Sequence, residues 1–259
     1  MPSVQELSAP YGNFMFAPRH GPGVCRTCFN LTDGYDRCYA CSETNRALDA
    51  MLPISYSVAN EQLHHVLATY KRSHGLTAHR FQSELAAVIW RHLSHHEACL
   101  ARAAGAAHFD AVTAVPSSLL FRDDVHPLHH IVAELVGPTR SRYARLLRRT
   151  GTPIAPHSFS PDKYEPATAP TGRSVLLIDD TWTTGANAQS AAAALKSAGA
   201  STVAALVVGR HISRDHGQND RRLRELPTPF EWDVCAFCRP ENSVKRHASS
   251  PRLALRGGG

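Results

Sequence analysis

Two stretches of this chain carry residues whose types and spacing could do chemistry. The first is CRTCFNLTDGYDRCYAC, in which Cys25 and Cys28 form one C-x-x-C pair and Cys38 and Cys41 another. Asp33-Gly34 supplies a turn between them, so a short hairpin can bring four thiolates to the corners of a tetrahedron, the closed geometry of structural zinc. No ligand position is left for water, so the ion would hold structure rather than activate a nucleophile. In a segment with so little core it would supply most of the folding free energy. Two disulfides are the competing reading, and they fit poorly with the opening MPSVQELSAPYGNFMF, which lacks a basic region followed by an apolar run.

The second stretch, residues 175 to 187, reads VLLIDDTWTTGAN. Val175 to Ile178 is a short aliphatic run that suits a strand buried on both faces of a parallel sheet. Asp179 and Asp180 follow at its carboxyl end, where open α/β sheets bind ligands. Ala186 to Leu195 is alanine-rich and reads as a helix, which makes Thr183, Thr184 and Gly185 the turn into its N-terminus. Unpaired N–H groups and the positive end of the helix dipole could cradle a phosphate there. The aspartates would stand ready for ribose hydroxyls or a magnesium shell. An isolated Asp pair often does no more than cap a helix or solvate a loop, but the added Thr-Thr-Gly lets backbone approach an anion closely. No GxxxxGK[ST] occurs, and no GxGxxG follows a strand.

Other elements must position these groups. Val58, Leu63, Val66, Leu67 and Tyr70 have helical spacing within residues 57–71, and a second helix is expected from about Arg80 to Leu93. AVTAVP, Ala111 to Pro116, reads as a buried strand that runs into the polar turn Ser117-Ser118. His126 to Val136 reads as a helix, and Ser201 to Arg210 as a further strand. Strands alternating with helices predict an α/β fold, a mostly parallel sheet flanked by helices, behind a small N-terminal four-cysteine zinc knuckle. The division expected is 1–50 for the knuckle, 51–238 for the α/β domain and 239–259 for a basic, disordered tail.

The chain has 259 residues, 43% hydrophobic and 19% charged, the balance of a soluble globular protein with one sizeable core. No apolar stretch approaches 18 residues, so no membrane span is expected and the cytoplasm is the default location. The formal charge is +6, but +4 of it sits between Arg239 and Gly259, so a general nucleic-acid-binding face is not required. His92 and His96 are four apart on a helix and read as an ordinary helix-face pair rather than ligands. Cys235 and Cys238, in VCAFC, form a lone C-x-x-C. They read as small core residues in preference to half a metal site or a redox pair, since Cys99 is the one remaining thiol and its position says nothing about proximity.

A four-cysteine knuckle ahead of an α/β domain carrying VLLIDDTWTTGAN resembles the ComF-like family, competence-associated relatives of the type I phosphoribosyltransferases. The likeness covers roughly residues 20 to 212, and PISYSVANEQLHHVLATYKR sits where that family has its PxxY and lysine-bearing helix. The resemblance implies a type I phosphoribosyltransferase-like fold and a glycosyltransferase that uses phosphoribosyl pyrophosphate (PRPP) with magnesium. By it, Asp179 and Asp180 would contact the ribose 2′- and 3′-hydroxyls. Thr181, Thr183, Thr184, Gly185, Ala186 and Asn187 would hold the 5′-phosphate, and Pro116, Ser117 and Ser118 the pyrophosphate. An unidentified nitrogenous acceptor would attack C1 of the ribose. FRDDVHPLHH departs from the family's arginine-rich stretch, keeping Arg122 but adding Asp123 and Asp124, whose charge works against pyrophosphate. Further readings are a non-catalytic PRPP- or nucleotide-binding module, and a zinc-dependent binder of single-stranded nucleic acid linked to DNA uptake. In the latter, Phe29, Tyr35 and Tyr39 would either stack on bases or form the knuckle's minimal core. A homodimer is an open assembly state.

Overall fold

A computed structural model describes residues 2–43, 47–117, 126–155 and 157–238. The expected basic tail, Ser118, Arg122, Asp123 and Asp124 lie outside the described residues. In chain order the elements are α1 (Val4–Ser8), α2 (Tyr39–Glu43), β1 (Ala50–Val58), α3 (Gln62–Thr69), α4 (Gly75–Ala103) and β2 (Ala111–Ala114). They continue with α5 (Pro127–His130), α6 (Gly137–Arg140), the short hairpin β3 (Leu147–Arg149) and β4 (Tyr164–Pro166), β5 (Ser174–Trp182), α7 (Ala186–Ser197), β6 (Thr202–Ile212) and α8 (Asn219–Arg224). Strands β1, β6, β5 and β2 lie in that order in one parallel sheet flanked by helices.

The middles of the central strands, Val175–Ile178 and Val203–Val208, are apolar throughout because both faces are covered. Val175 and Leu177 of β5, with Val203, Ala205 and Val207 of β6, share a core with Ala188, Ala191 and Leu195 of α7. Leu176 and Ile178, with Ala204, Leu206 and Val208, share another with Leu63 and Leu67 of α3 and with Leu85 and Ile89 of α4. Successive residues alternate between the two faces, as the pleat requires. Full burial of each large aliphatic side chain contributes roughly 1.5–3 kcal/mol, so these two layers fix the register of β5 and, with it, the direction of each aspartate.

Three elements differ from expectation. Ser57 and Val58 do not begin a helix; they end β1, and α3 starts at Gln62. Pro53 lies within β1, which is an edge strand of the sheet. The second helix, expected over 80–93, runs from Gly75 to Ala103. The helix expected over 126–136 is the single α-turn α5 followed by a π-helical turn, Ile131–Leu135.

The four-cysteine hairpin packs against the α7 side of the sheet, and its cysteines belong to the same core as Val175 and Leu177. Residues nearer the start pack elsewhere: Tyr11, Met15 and Ala17 lie in the core shared with α4. Among the described residues, no helix is long and apolar enough to cross a membrane.

Candidate ligand site and metal clusters

Strand β5 does not stop at Ile178. It continues through Asp179 and Asp180 to Trp182, because β6 keeps pairing alongside, Asp179 with Val207 and Trp182 with Arg210. The two carboxylates are therefore strand residues on opposite faces, and their surroundings differ accordingly.

Asp180 turns toward the α3 side and is buried. It accepts a hydrogen bond from the Tyr70 hydroxyl and pairs with Lys71 Nζ at 2.6 Å. Tyr70 caps the C-terminus of α3, and α3 sits close to the sheet because residue 209 is glycine. A Cβ there would lie 2.6 Å from Leu67 Cδ1 and 2.7 Å from Ser57 Cβ. Burial pushes the Asp180 carboxyl up, but the Lys71 charge and the Tyr70 hydrogen bond outweigh it and leave it below the usual carboxylate range. Burial first, then the Asp180 charge and the hydrogen bond to it, push the Tyr70 phenol well above its ordinary value.

Asp179 continues the α7-facing row of Val175 and Leu177. Its Oδ1 accepts the Asp180 N–H at 2.9 Å. Burial and the adjacent Asp180 charge push its carboxyl up to about 7. At neutral pH this group is poised between its two protonation states, while Asp180 is ionised and neutralised by its partners.

Beyond β5, Thr183 to Gly185 form the turn into α7. Gly185 has φ +85°, and a Cβ on it would strike the Trp182 indole at 2.1 Å, so conformation and space both demand glycine. Trp182 is buried and packs beneath this turn. The Thr184 hydroxyl accepts from the Ala186 N–H and donates to the His157 carbonyl, each at 3.3 Å, tying the turn to the segment between β3 and β4. Thr181 and Asn187 are half-buried and Thr183 is exposed at the same edge. Pro116 and Ser117 arrive beside them because β2 pairs with β5 and the Val115 N–H donates to the Ile178 carbonyl at 2.9 Å. The Pro116 carbonyl in turn accepts from the Tyr164 hydroxyl at 3.3 Å. The sheet's C-terminal edge thus gathers every described residue expected to hold ribose, phosphate or pyrophosphate; Ser118 is not among the described residues. Tyr70 and Lys71 were not expected to contact the acidic pair. The sequence signal for them was an apolar stripe ending in a lysine, at the place where the resembled family has its lysine-bearing helix, with no contact to the acidic pair read from it.

Among the described residues, two groups of three or more His, Cys, Asp or Glu side chains could hold a metal such as zinc. The sulfurs of Cys25, Cys28, Cys38 and Cys41 all lie within 4.8 Å of one another, close enough to share one tetrahedral ion. All four residues are buried. Phe29, just after the second cysteine, takes φ +59° and donates its N–H to the Cys25 carbonyl at 2.9 Å, closing the first corner of the hairpin. Arg210 of β6 joins this cluster to the sheet. Its Nε donates to the Cys28 carbonyl at 3.0 Å, its Nη1 to the Trp182 carbonyl at 3.2 Å, and its Nη2 lies 3.7 Å from Cys28 Sγ. One buried guanidinium therefore faces both the thiols and the strand that feeds the Thr-Thr-Gly turn. The second group is His96, Cys99, Cys235 and Cys238.

The hairpin's aromatic residues divide. Phe29 is wholly buried, whereas Tyr35 and Tyr39 are 71% and 82% exposed. No protein-family model matches the chain, and no curated protein matches it.

Proposed function

We propose that this chain is a phosphoribosyltransferase-like protein of the ComF-like kind, which binds PRPP as its magnesium complex and transfers the phosphoribosyl group to a nitrogenous acceptor. The observation that carries this reading is the shared edge of the sheet: Asp179, the Thr183–Gly185 turn at the start of α7, and the Pro116-Ser117 loop all emerge there. The turn and the first N–H groups of α7 take the 5′-phosphate, with the Thr183 and Thr184 hydroxyls beside them. Asp179 accepts hydrogen bonds from the ribose hydroxyls, an interaction that favours its ionised form and so lowers its pKa on binding. Asp180 acts through position and charge: held by Tyr70 and Lys71, it keeps the end of β5 and the end of α3 together. Magnesium enters with the substrate's pyrophosphate. As C1 loses pyrophosphate, positive charge grows on the ribose, and fixed dipoles and carboxylates at the edge stabilise it without a covalent intermediate.

Calorimetric titration with PRPP and magnesium tests this reading. The parent protein binds. Asp179→Asn binds about 10- to 100-fold more weakly, the loss of hydrogen bonds to a charged acceptor. Asp180 is left intact in this test because its removal would strand Lys71 and Tyr70. A folded parent that fails to bind PRPP overturns the reading. Binding without pyrophosphate release across a panel of nitrogenous acceptors reduces it to a sensing module.

A second reading has one observation behind it. Tyr35 and Tyr39 project from the cysteine hairpin near Arg37, an arrangement on which bases of a single strand can stack. It predicts single-strand binding that weakens with salt and is lost in Tyr35→Ala/Tyr39→Ala.

A further inference from the structure

His96 and Cys99 lie on α4, and Cys235 and Cys238 lie near the far end of the described chain. The fold brings one ring nitrogen and three sulfurs within 4.8 Å of one another. Cys238 Sγ is 3.6 Å from Cys235 Sγ and 3.5 Å from His96 Nδ1. We propose that these four residues bind a second structural zinc ion, which staples the C-terminal segment to α4. This site is independent of any ligand at the sheet edge.

Residues 96 and 99 are three apart on a helix and so share a face, and the C-x-x-C turn supplies the other two corners of a tetrahedron. His96 Nε2 lies 2.8 Å from the Trp232 carbonyl oxygen. A carbonyl only accepts, so Nε2 carries the proton and Nδ1, turned toward Cys238, presents its lone pair. That is the tautomer a metal ligand needs, set by an outer hydrogen bond. The turn is also shaped for thiolates. The Cys235 N–H points at Cys238 Sγ at 3.2 Å and the Phe237 N–H at Cys235 Sγ at 3.4 Å, donors that favour anionic sulfur. On binding, three thiol protons leave, the imidazole enters neutral, and zinc with three thiolates has net charge −1.

The segment so held does not otherwise form a core of its own. It lays Phe230, Trp232 and Cys235 onto the core shared with α4. Its polar and ring contacts include Phe230 N–H to the Gly12 carbonyl at 2.8 Å, Arg91 stacked 4.4 Å from the Trp232 ring centre, and His95 paired with Asp233 at 3.1 Å. Phe237, inside the ligand turn, meets Phe29 of the first cluster edge-on, with ring centres 5.8 Å apart. The second ion therefore also positions the aromatic contact that joins the two clusters.

Metal analysis of the full chain, purified under reducing conditions, tests the assignment. The parent carries two zinc ions, and Cys235→Ser/Cys238→Ser carries one. X-ray absorption of the parent averages seven sulfurs and one nitrogen over the two ions. With cobalt in place of zinc, His96→Ala loses the second ion, while His96→Cys regains it with an all-sulfur spectrum, a rescue that a purely packing role for His96 would not produce. One ion per chain in the parent with an all-sulfur shell overturns the proposal, as does recovery of Cys235 and Cys238 as a disulfide. Both readings of the parent stand even if a variant fails to fold.

Discussion

The two ligand clusters differ in how the chain assembles them. Cys25, Cys28, Cys38 and Cys41 lie in one hairpin, so their meeting needs only a turn. His96 and Cys238 are 142 positions apart, and α4, the sheet and the C-terminal segment must all be in place before they meet. The entropy of closing a loop rises by about 0.6 kcal/mol with each doubling of its length, so the distant cluster draws its affinity from a fold already formed. The local cluster instead creates the structure around it. The first is consequently a folding unit and the second a staple.

The largest effect should come from breaking the local cluster. Cys28→Ser loses that ion and with it a folding contribution on the order of 10 kcal/mol to the hairpin. Limited proteolysis between residues 22 and 43 reads the loss, and a hairpin that stays resistant without its metal would break the comparison.

Arg210→Met comes next. It removes a buried cation hydrogen-bonded to Cys28 and Trp182 carbonyls, at a cost of about 3–5 kcal/mol in chemical denaturation. Zinc should leave the first cluster faster in this variant, while release from the second is unchanged. Equal acceleration at both would mean that the clusters are one unit.

Gly185→Ala forces a side chain into the Trp182 indole at φ +85° and costs about 1–3 kcal/mol. Because Arg210 holds the Trp182 carbonyl, the strain should reach the first cluster and spare the second.

The smallest effect belongs to Asp179→Asn, which should leave both ions bound. The Asp179 carboxyl is raised to about 7, above its unfolded value, so the folded state prefers it protonated. Its favourable contribution is complete below about pH 4 and is lost as pH rises through about 7. Relative to the parent, the Asn variant therefore gains on the order of 1 kcal/mol between pH 5 and pH 8, after discounting for partial exposure. Thermal melts at the two pH values measure it. A change in the opposite direction would mean that the folded state holds the Asp179 carboxyl below, not above, its unfolded value.

What could be read in advance was local. The C-x-x-C pairs, the aliphatic run at 175–178, the alanine-rich helix and the Thr-Thr-Gly turn each announce themselves over a few residues, and α7 begins at Ala186 as expected. The end of β5 could not be read this way: two carboxylates look like loop, and only the pairing of Asp179 with Val207 and Trp182 with Arg210 keeps them in the ladder.

The sequence by itself determined the chemistry on offer, namely four thiols able to share an ion, two carboxylates, and a turn open to an anion. Only the tertiary structure decided how that chemistry is used. The pleat sent Asp180 to Tyr70 and Lys71 and kept Asp179 from them. The packing of the C-terminal segment on α4 made ligand partners of His96, Cys99, Cys235 and Cys238. The physical reason is that residue type and short spacing reside in the chain, whereas which face a side chain takes and which distant group it meets depend on the burial of two apolar layers.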